Sequence, residues 1–144
     1  MARPQTPLLT VDIIIEMRDR PGRPIVLIER KYPPPGWALP GGFVDVGERL
    51  EAAARREAFE ETSLEVALKV LLGCYSDPQR DARGHTVSAV YVASATGEPH
   101  ARDDACDLVC VSPEALPSLA FDHALILDDY RSYLATGRPA PLRL

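Results

Sequence analysis

Glu57, Glu60 and Glu61 stand at i, i+3 and i+4 of one stretch of helix-forming residues. Helix geometry puts three carboxylates so spaced into one surface patch. Exposed like charges at that spacing repel by about 0.2–0.5 kcal/mol per pair. The face they occupy is more telling. At ~100° per residue, Leu50, Ala53, Ala54, Ala58 and Leu64 gather on one side, and Glu57 and Glu61 project from its middle. Partly buried carboxylates need hydrogen bonds or a cation. Arg55 and Arg56 supply part of this, and Arg56 to Glu60 is an i, i+4 pair. A divalent cation would supply more, because hard ions such as Mg²⁺ take carboxylate oxygens and waters. On spacing alone, a solvated Glu/Arg-rich helix explains the pattern equally well.

The elements that must position these residues follow from periodicity. Residues 10–17 alternate with a period of two, Val11, Ile13, Ile15 and Met17 against Thr10, Asp12, Ile14 and Glu16, which predicts a strand. Pro21-Gly22 breaks the chain, and the apolar run Ile25 to Ile28 predicts a buried strand, so the two form a hairpin. A proline-rich loop spans residues 32–40, Gly41-Gly42 follows, and an extended piece is expected over 43–46. The chemistry-bearing helix is predicted from about Arg49 to Thr62, with no Pro or Gly inside it. Strands are predicted over 66–75, 86–93 and 107–111. The 86–93 strand is apolar on both faces and therefore central. Ser112 to Leu116 reads as a capped single turn. A last helix is expected over 122–136, burying Ile126, Tyr130, Tyr133 and Leu134 and ending at Gly137. Strands mixed with two helices define an α/β fold, a sheet covered on its faces by helices.

The chain has 144 residues, 46% of them hydrophobic and 26% charged. That balance predicts one folded domain over residues 1–144. The net charge of −5 argues against a nucleic-acid partner. No apolar run reaches membrane-spanning length, and residues 1–7 lack the pattern of a signal peptide. Cys74, Cys106 and Cys110 then read as reduced thiols of a cytoplasmic protein. Cys106 and Cys110 lack the second ligand pair that a zinc site needs.

The stretch Gly42-Phe-Val-Asp-Val-Gly-Glu48, continued by Arg56-Glu57-Ala58-Phe59-Glu60-Glu61-Thr62-Ser63-Leu64, resembles the Nudix box. Gly42, Glu48, Arg56, Glu57, Glu60, Glu61 and Leu64 fall in register with it. Ala58 is small for its position, and Ser63 stands where the family has Gly. A Gly there serves a left-handed helix end. Ser in that conformation costs about 1 kcal/mol, or the turn has another shape.

The resemblance implies a Nudix-type α/β/α sandwich with a mixed central sheet. It implies a Mg²⁺-dependent pyrophosphohydrolase, with Mn²⁺ as a substitute, acting on a nucleoside diphosphate linked to another group. Carried over by position, Glu57, Glu60 and Glu61 are metal ligands, with the backbone carbonyl of Gly41 or Gly42 completing the shell. Arg56 orients the glutamates and Glu48 supports the loop–helix junction. Glu61 is one candidate general base. Asp103, Asp104 and Glu114 are the candidates in later loops.

The segments Trp37-Ala-Leu-Pro-Gly-Gly-Phe-Val-Asp45, Asp77 to His85 and Leu119-Ala-Phe-Asp-His123 are similar to those of ADP-ribose pyrophosphatase-type members. Pro78, fifteen residues after Ser63, matches a proline of that group. This implies ADP-ribose as the small-molecule nucleotide substrate. Arg30, Lys31, Arg80 and Arg83 are candidate phosphate or ribose contacts through bidentate guanidinium binding, or solvated loop residues. Asp104 is a further substrate contact. Trp37 or Phe43 stacks on the base, or anchors a loop. His123 positions substrate, or only caps and packs its helix. Other Nudix substrates are nucleoside triphosphates, nucleotide sugars and dinucleoside polyphosphates. A ligand sensor without catalysis is the reading of another class, but sensors usually combine a damaged box with a DNA-binding domain. Related enzymes are often dimers, so a homodimer is expected.

Overall fold

The computed structural model describes residues 2–144. Its strands are β1 (Leu8–Met17), β2 (Ile25–Arg30), β3 (Trp37–Ala38), β4 (Gly41–Phe43), β5 (Ala67–Tyr75), β6 (Thr86–Ala95) and β7 (Ala105–Val111). Its helices are α1 (Leu50–Thr62) and α2 (His123–Thr136). All seven strands form one mixed sheet with the central order β3-β2-β1-β6-β5. In addition β4 pairs with β1 and β7 with β2.

β1 and β6 run parallel in continuous register from Leu8↔Thr86 to Met17↔Ala95. Both are buried on both faces over most of their length, because a helix covers each side of the sheet. The odd residues Val11, Ile13, Ile15 and Met17 pack under Ala53, Ala54 and Ala58 of α1. On the opposite face Ile14 packs with Ile25, Leu27, Val90 and Val92 against Ile126, Leu127 and Tyr130 of α2. The α/β/α layering thus follows from the period-two pattern, one residue to each helix.

Three details differ from the sequence-based expectation. The extended piece is Gly41–Phe43, not 43–46. It ends where Glu48 N–H bonds to Asp45 O at 3.0 Å and turns the chain. Leu134 is 53% exposed, and Leu127 takes its place on the buried face of α2. The sheet lies nearer one flank of the helix than the i+8 position suggested. The β1–β2 hairpin is paired at its base, Glu16↔Ile25. Farther along, β4 takes over the β1 edge at Thr10, Val11 and Asp12. β2 meanwhile pairs with β7 and β3. This exchange of partners brings the Gly41-Gly42 strand to the middle of β1 and opens a cleft beside it.

The C-terminal cap of α1 resolves the question posed by Ser63. It adopts the left-handed conformation at φ 64°, with its N–H bonded to Phe59 O at 2.9 Å. Its hydroxyl donates to His100 O at 3.2 Å. His100 N and Arg102 N in turn bond the open carbonyls of Thr62 and Glu61 at 2.8 and 3.1 Å. The loop after β6 therefore serves as the helix cap.

Candidate active site

A cleft of about 320 Å³ runs along the acidic face of α1. Glu57 and Glu61 form one wall. The Glu57 side chain is 13% exposed and Glu61 is 5% exposed. Gly41 N–H donates to Glu61 Oε2 at 3.2 Å. Gly42 lies directly against the Glu57 carboxylate. The lack of a side chain at Gly42 lets β4 run this close to the helix side chains, and Gly41 lets it run equally close to β1.

Arg56 holds the wall together. Its Nε and Nη2 donate to Glu48 Oε2 and Oε1 at 2.7 and 2.8 Å. Its Nη1 reaches Glu57 Oε1 at 2.8 Å and Glu60 Oε2 at 3.2 Å, and Nη2 also reaches Phe43 O at 3.1 Å. The planar fork thus serves three carboxylates and a carbonyl at once. These bonds push the Arg56 pKa up. The same guanidinium holds Glu48 down at about 2. Burial pushes Glu57 up despite the Arg56 contact. Burial also pushes Glu61 up to about 8, with Glu57, Asp12 and Asp104 adding like charge.

Glu57 shares Arg56 with Glu48 and Glu60, and the buried Glu61 has only the Gly41 N–H, so the pair is short of positive charge, which is the chemistry of a divalent-cation donor set. Among the described residues no three His, Cys, Asp or Glu side chains converge as a closed metal cage. A hard cation that keeps several waters does not require one.

The opposite wall rests on Asp12, which sequence reasoning missed. Asp12 is 8% exposed in β1 and accepts from Ser88 Oγ at 2.5 Å. His123 Nε2 lies 3.6 Å from Asp12 Oδ1, and His123 Nδ1 accepts from Leu39 N–H at 3.0 Å. That bond places the ring proton on Nε2, facing Asp12. Burial lowers the His123 pKa, so the ring is neutral at neutral pH. The available signal for Asp12 was a carboxylate next to Ile14 on the second, mixed face of the first strand.

Arg30, Gly41, Arg56, Glu57, Glu61, Arg80, Arg83, Asp104 and His123 all line the cleft. Their situations differ. Arg80 is committed, donating to both Asp122 oxygens at 3.0 and 2.8 Å and to Thr86 Oγ1 at 2.8 Å. Arg83 is gripped by Asp81 but keeps a free edge. Glu60 is half-exposed and turns toward Arg56, outside the lining of the cleft.

Trp37 takes the anchoring one of the two roles open to it. It packs in the α2-side core, and its carbonyl accepts from Ala120 N–H at 2.8 Å. The rings that do line the cleft are Phe43, Tyr32 and Phe121. Phe121 lies inside a segment whose resemblance was noted, but nothing in its spacing marked it. Lys31 is likewise turned away, its Nζ bonded to Asp103 O at 3.0 Å. Asp103 and the exposed Glu114 do not line the cleft, whereas Asp104 does.

An α/β/α sandwich with this acidic helix beside an arginine-bearing wall defines a class built to act on anionic substrates. The NUDIX domain model matches residues 7–130. The chain belongs to the NUDIX domain family and is a Nudix hydrolase. It is 46% identical over 127 residues to the ADP-ribose pyrophosphatase of Methanocaldococcus jannaschii, covering 86% of this chain and 73% of that one. It is 33% identical over 126 residues to the ADPR responsive transcriptional repressor NtrR of Acinetobacter baylyi, covering 82% of this chain and 50% of that one. Among solved structures it is similar to the NUDIX domain of Shewanella oneidensis NrtR complexed with ADP ribose. There the TM-score is 0.78 at 27% identity, with 90% of each chain covered. Nudix hydrolases use divalent metals, in keeping with the donor set described above. Among the described residues no helix is long and apolar enough to cross a membrane.

Proposed function

We propose that this chain, as one domain over residues 1–144, hydrolyses ADP-ribose to AMP and ribose 5-phosphate with Mg²⁺, for which Mn²⁺ can substitute. The observation that carries the reading is the partly buried Glu57 and buried Glu61 lining one cleft with Arg30 and Arg83. The 46% identity to an ADP-ribose pyrophosphatase supports the choice of substrate.

Glu57, Glu61 and the Gly41 backbone hold the metal, with Glu60 beside them. When bound, Mg²⁺ neutralises phosphoryl oxygens and lowers the pKa of a water molecule. Arg56 fixes Glu57, and Glu48 fixes Arg56. Arg30 and Arg83 bind phosphate oxygens on the other wall, and Asp104 and His123 border the substrate. Glu61 Oε2 takes the Gly41 N–H, which leaves Oε1 to receive the proton of the attacking water. The water oxygen bonds to one phosphorus as the bridging P–O bond breaks, and the bridging oxygen leaves on the other phosphate.

The test is Mg²⁺-dependent release of AMP from ADP-ribose, run beside nucleoside triphosphates, nucleotide sugars and dinucleoside polyphosphates. Glu57→Gln and Glu61→Gln should each lower kcat by about 10²-fold or more. A wild type inert on every diphosphate, or a mutant at full rate, refutes catalysis. The similarity to a repressor domain favours a sensor as the second reading, and tight ADP-ribose binding without turnover would establish it. The reading includes a homodimer, supported by exposed Leu8 and Leu9 at the start of β1 and tested by light scattering. It also includes a cytoplasmic location, supported by three unpaired thiols.

A further inference from the structure

Phe121 has a φ of 54°, a conformation that bulky side chains rarely adopt. Its neighbours impose it. Ala120 N–H is bonded to Trp37 O at 2.8 Å. Asp122 is gripped by Arg80 through both oxygens. His123 Nδ1 is bonded to Leu39 N–H. Residues on both sides of Phe121 are thus tied to other segments, and the strained residue between them holds its ring in the cleft. Strain of this kind persists only where surrounding structure over-determines it, and it gathers at functional sites.

The ring meets two cations. The Arg30 guanidinium carbon lies 4.8 Å from its centroid and that of Arg83 lies 5.3 Å away. Arg83 also sits over Phe43 at 5.7 Å. Each guanidinium is anchored along one edge. Arg30 donates through Nε to Pro34 O at 2.7 Å and through Nη2 to Pro33 O at 3.4 Å. Arg83 donates through Nε to Asp81 Oδ1 at 3.0 Å and through Nη2 to Asp81 Oδ2 at 2.8 Å. Among the described residues Nη1 of neither arginine has a protein hydrogen-bond partner. Two like charges are held beside one aromatic ring, whose quadrupole attracts both, with a free donor edge on each.

We propose that Phe121 is a positioning residue that sets Arg30 and Arg83 as one paired receptor for a single phosphoryl group of the substrate. The inference rests on the diphosphate substrate proposed above. The paired geometry would bind the phosphate through both arginines together, whereas two independent loop arginines would bind it separately and weakly.

The first arm needs neither metal nor turnover. Inorganic phosphate is titrated into ¹⁵N-labelled protein while the guanidinium signals of Arg30 and Arg83 are followed. In the wild type both should shift with one common midpoint. In Phe121→Leu the midpoint should rise about fivefold or more and the two signals should separate. Phe121→Gly accepts the positive φ and so protects the fold, yet it should behave like the leucine variant. Phe121→Tyr, which keeps the ring, should restore the common midpoint.

The second arm measures ADP-ribose hydrolysis. Phe121→Leu should raise KM about tenfold while kcat falls less than threefold, the sign of lost binding and not of lost chemistry. An unchanged phosphate midpoint in both the leucine and glycine variants overturns the inference. So does a fall in kcat at constant KM. A wild type that does not hydrolyse ADP-ribose refutes the proposed substrate, and the phosphate arm still decides the role of Phe121.

Discussion

The Glu57 carboxylate occupies the space that a side chain at Gly42 would need. A Cβ built on Gly42 falls 2.5 Å from Glu57 Cδ. The neighbouring glycine faces a different obstacle. A Cβ on Gly41 would meet the Val11 carbonyl oxygen, part of the β1 backbone, and Asp12 Oδ1.

The two glycines therefore predict opposite phenotypes. In Gly42→Ala the flexible Glu57 side chain swings away, so the protein stays folded while kcat falls by about 10²-fold, as for a misplaced catalytic group. In Gly41→Ala the clash is with backbone, and stability should drop by about 1–3 kcal/mol, as for overpacking. Denaturant unfolding together with kinetics on both variants checks this. A stable, inactive Gly41→Ala would contradict it.

Arg56 should not tolerate lysine. One ammonium cannot serve Glu48, Glu57, Glu60 and Phe43 O together. Arg56→Lys should lower activity by about 10–100-fold, the range seen when groups supporting metal ligands are removed. The partner bond should be visible by titration. Glu48 is held down at about 2, so the pair is intact above the ordinary carboxylate range and breaks as pH falls through about 2. A ¹³C carboxyl titration should find Glu48 among the lowest, and Arg56→Lys should move it upward.

His123 predicts a pH dependence of stability. Burial lowers its pKa from 6.5, so below about 6.5 the unfolded chain binds a proton that the folded chain does not. Its contribution is complete above that pH and declines as pH falls toward the folded value. Replacing it with Phe should remove this slope. It should also cost about 1–3 kcal/mol, because the Leu39 N–H loses its acceptor. Thermal unfolding at several pH values would reveal either effect.

Ser63→Gly should be tolerated. Glycine relieves a left-handed residue worth about 1 kcal/mol and forfeits the hydroxyl bond to His100 O, worth about 0.5–1.5 kcal/mol. The net expectation lies within about 1 kcal/mol of zero with kcat unchanged, because the cap is completed by backbone N–H groups of His100 and Arg102. Urea unfolding decides it, and a loss above about 2 kcal/mol would mean that the hydroxyl anchors the loop.

The acidic helix was legible because its information is local. Helix propensity and the i, i+3, i+4 spacing place Glu57, Glu60 and Glu61 without knowledge of the rest of the chain. The two-sided burial of β6 was readable for the same reason, since side chains alternate strictly along a strand, whereas β1 displayed only one apolar face and its second is buried by tertiary contacts. Trp37 and Phe121 were not distinguishable in this way. Both are aromatic residues in stretches punctuated by Pro, and only the packing of Trp37 on the α2-side core and of Phe121 in the cleft separates them.

Sequence alone thus determined the helix with its carboxylates, the arginine that serves them and the layered α/β architecture, all consequences of periodicities spanning a few residues. Tertiary structure decided what stands opposite. Asp12 and Phe121 reach the cleft because β1 exchanges β2 for β4 as its partner and because bonds from distant segments fix the turn before α2. Such contacts join residues far apart in the chain, and no local pattern encodes them.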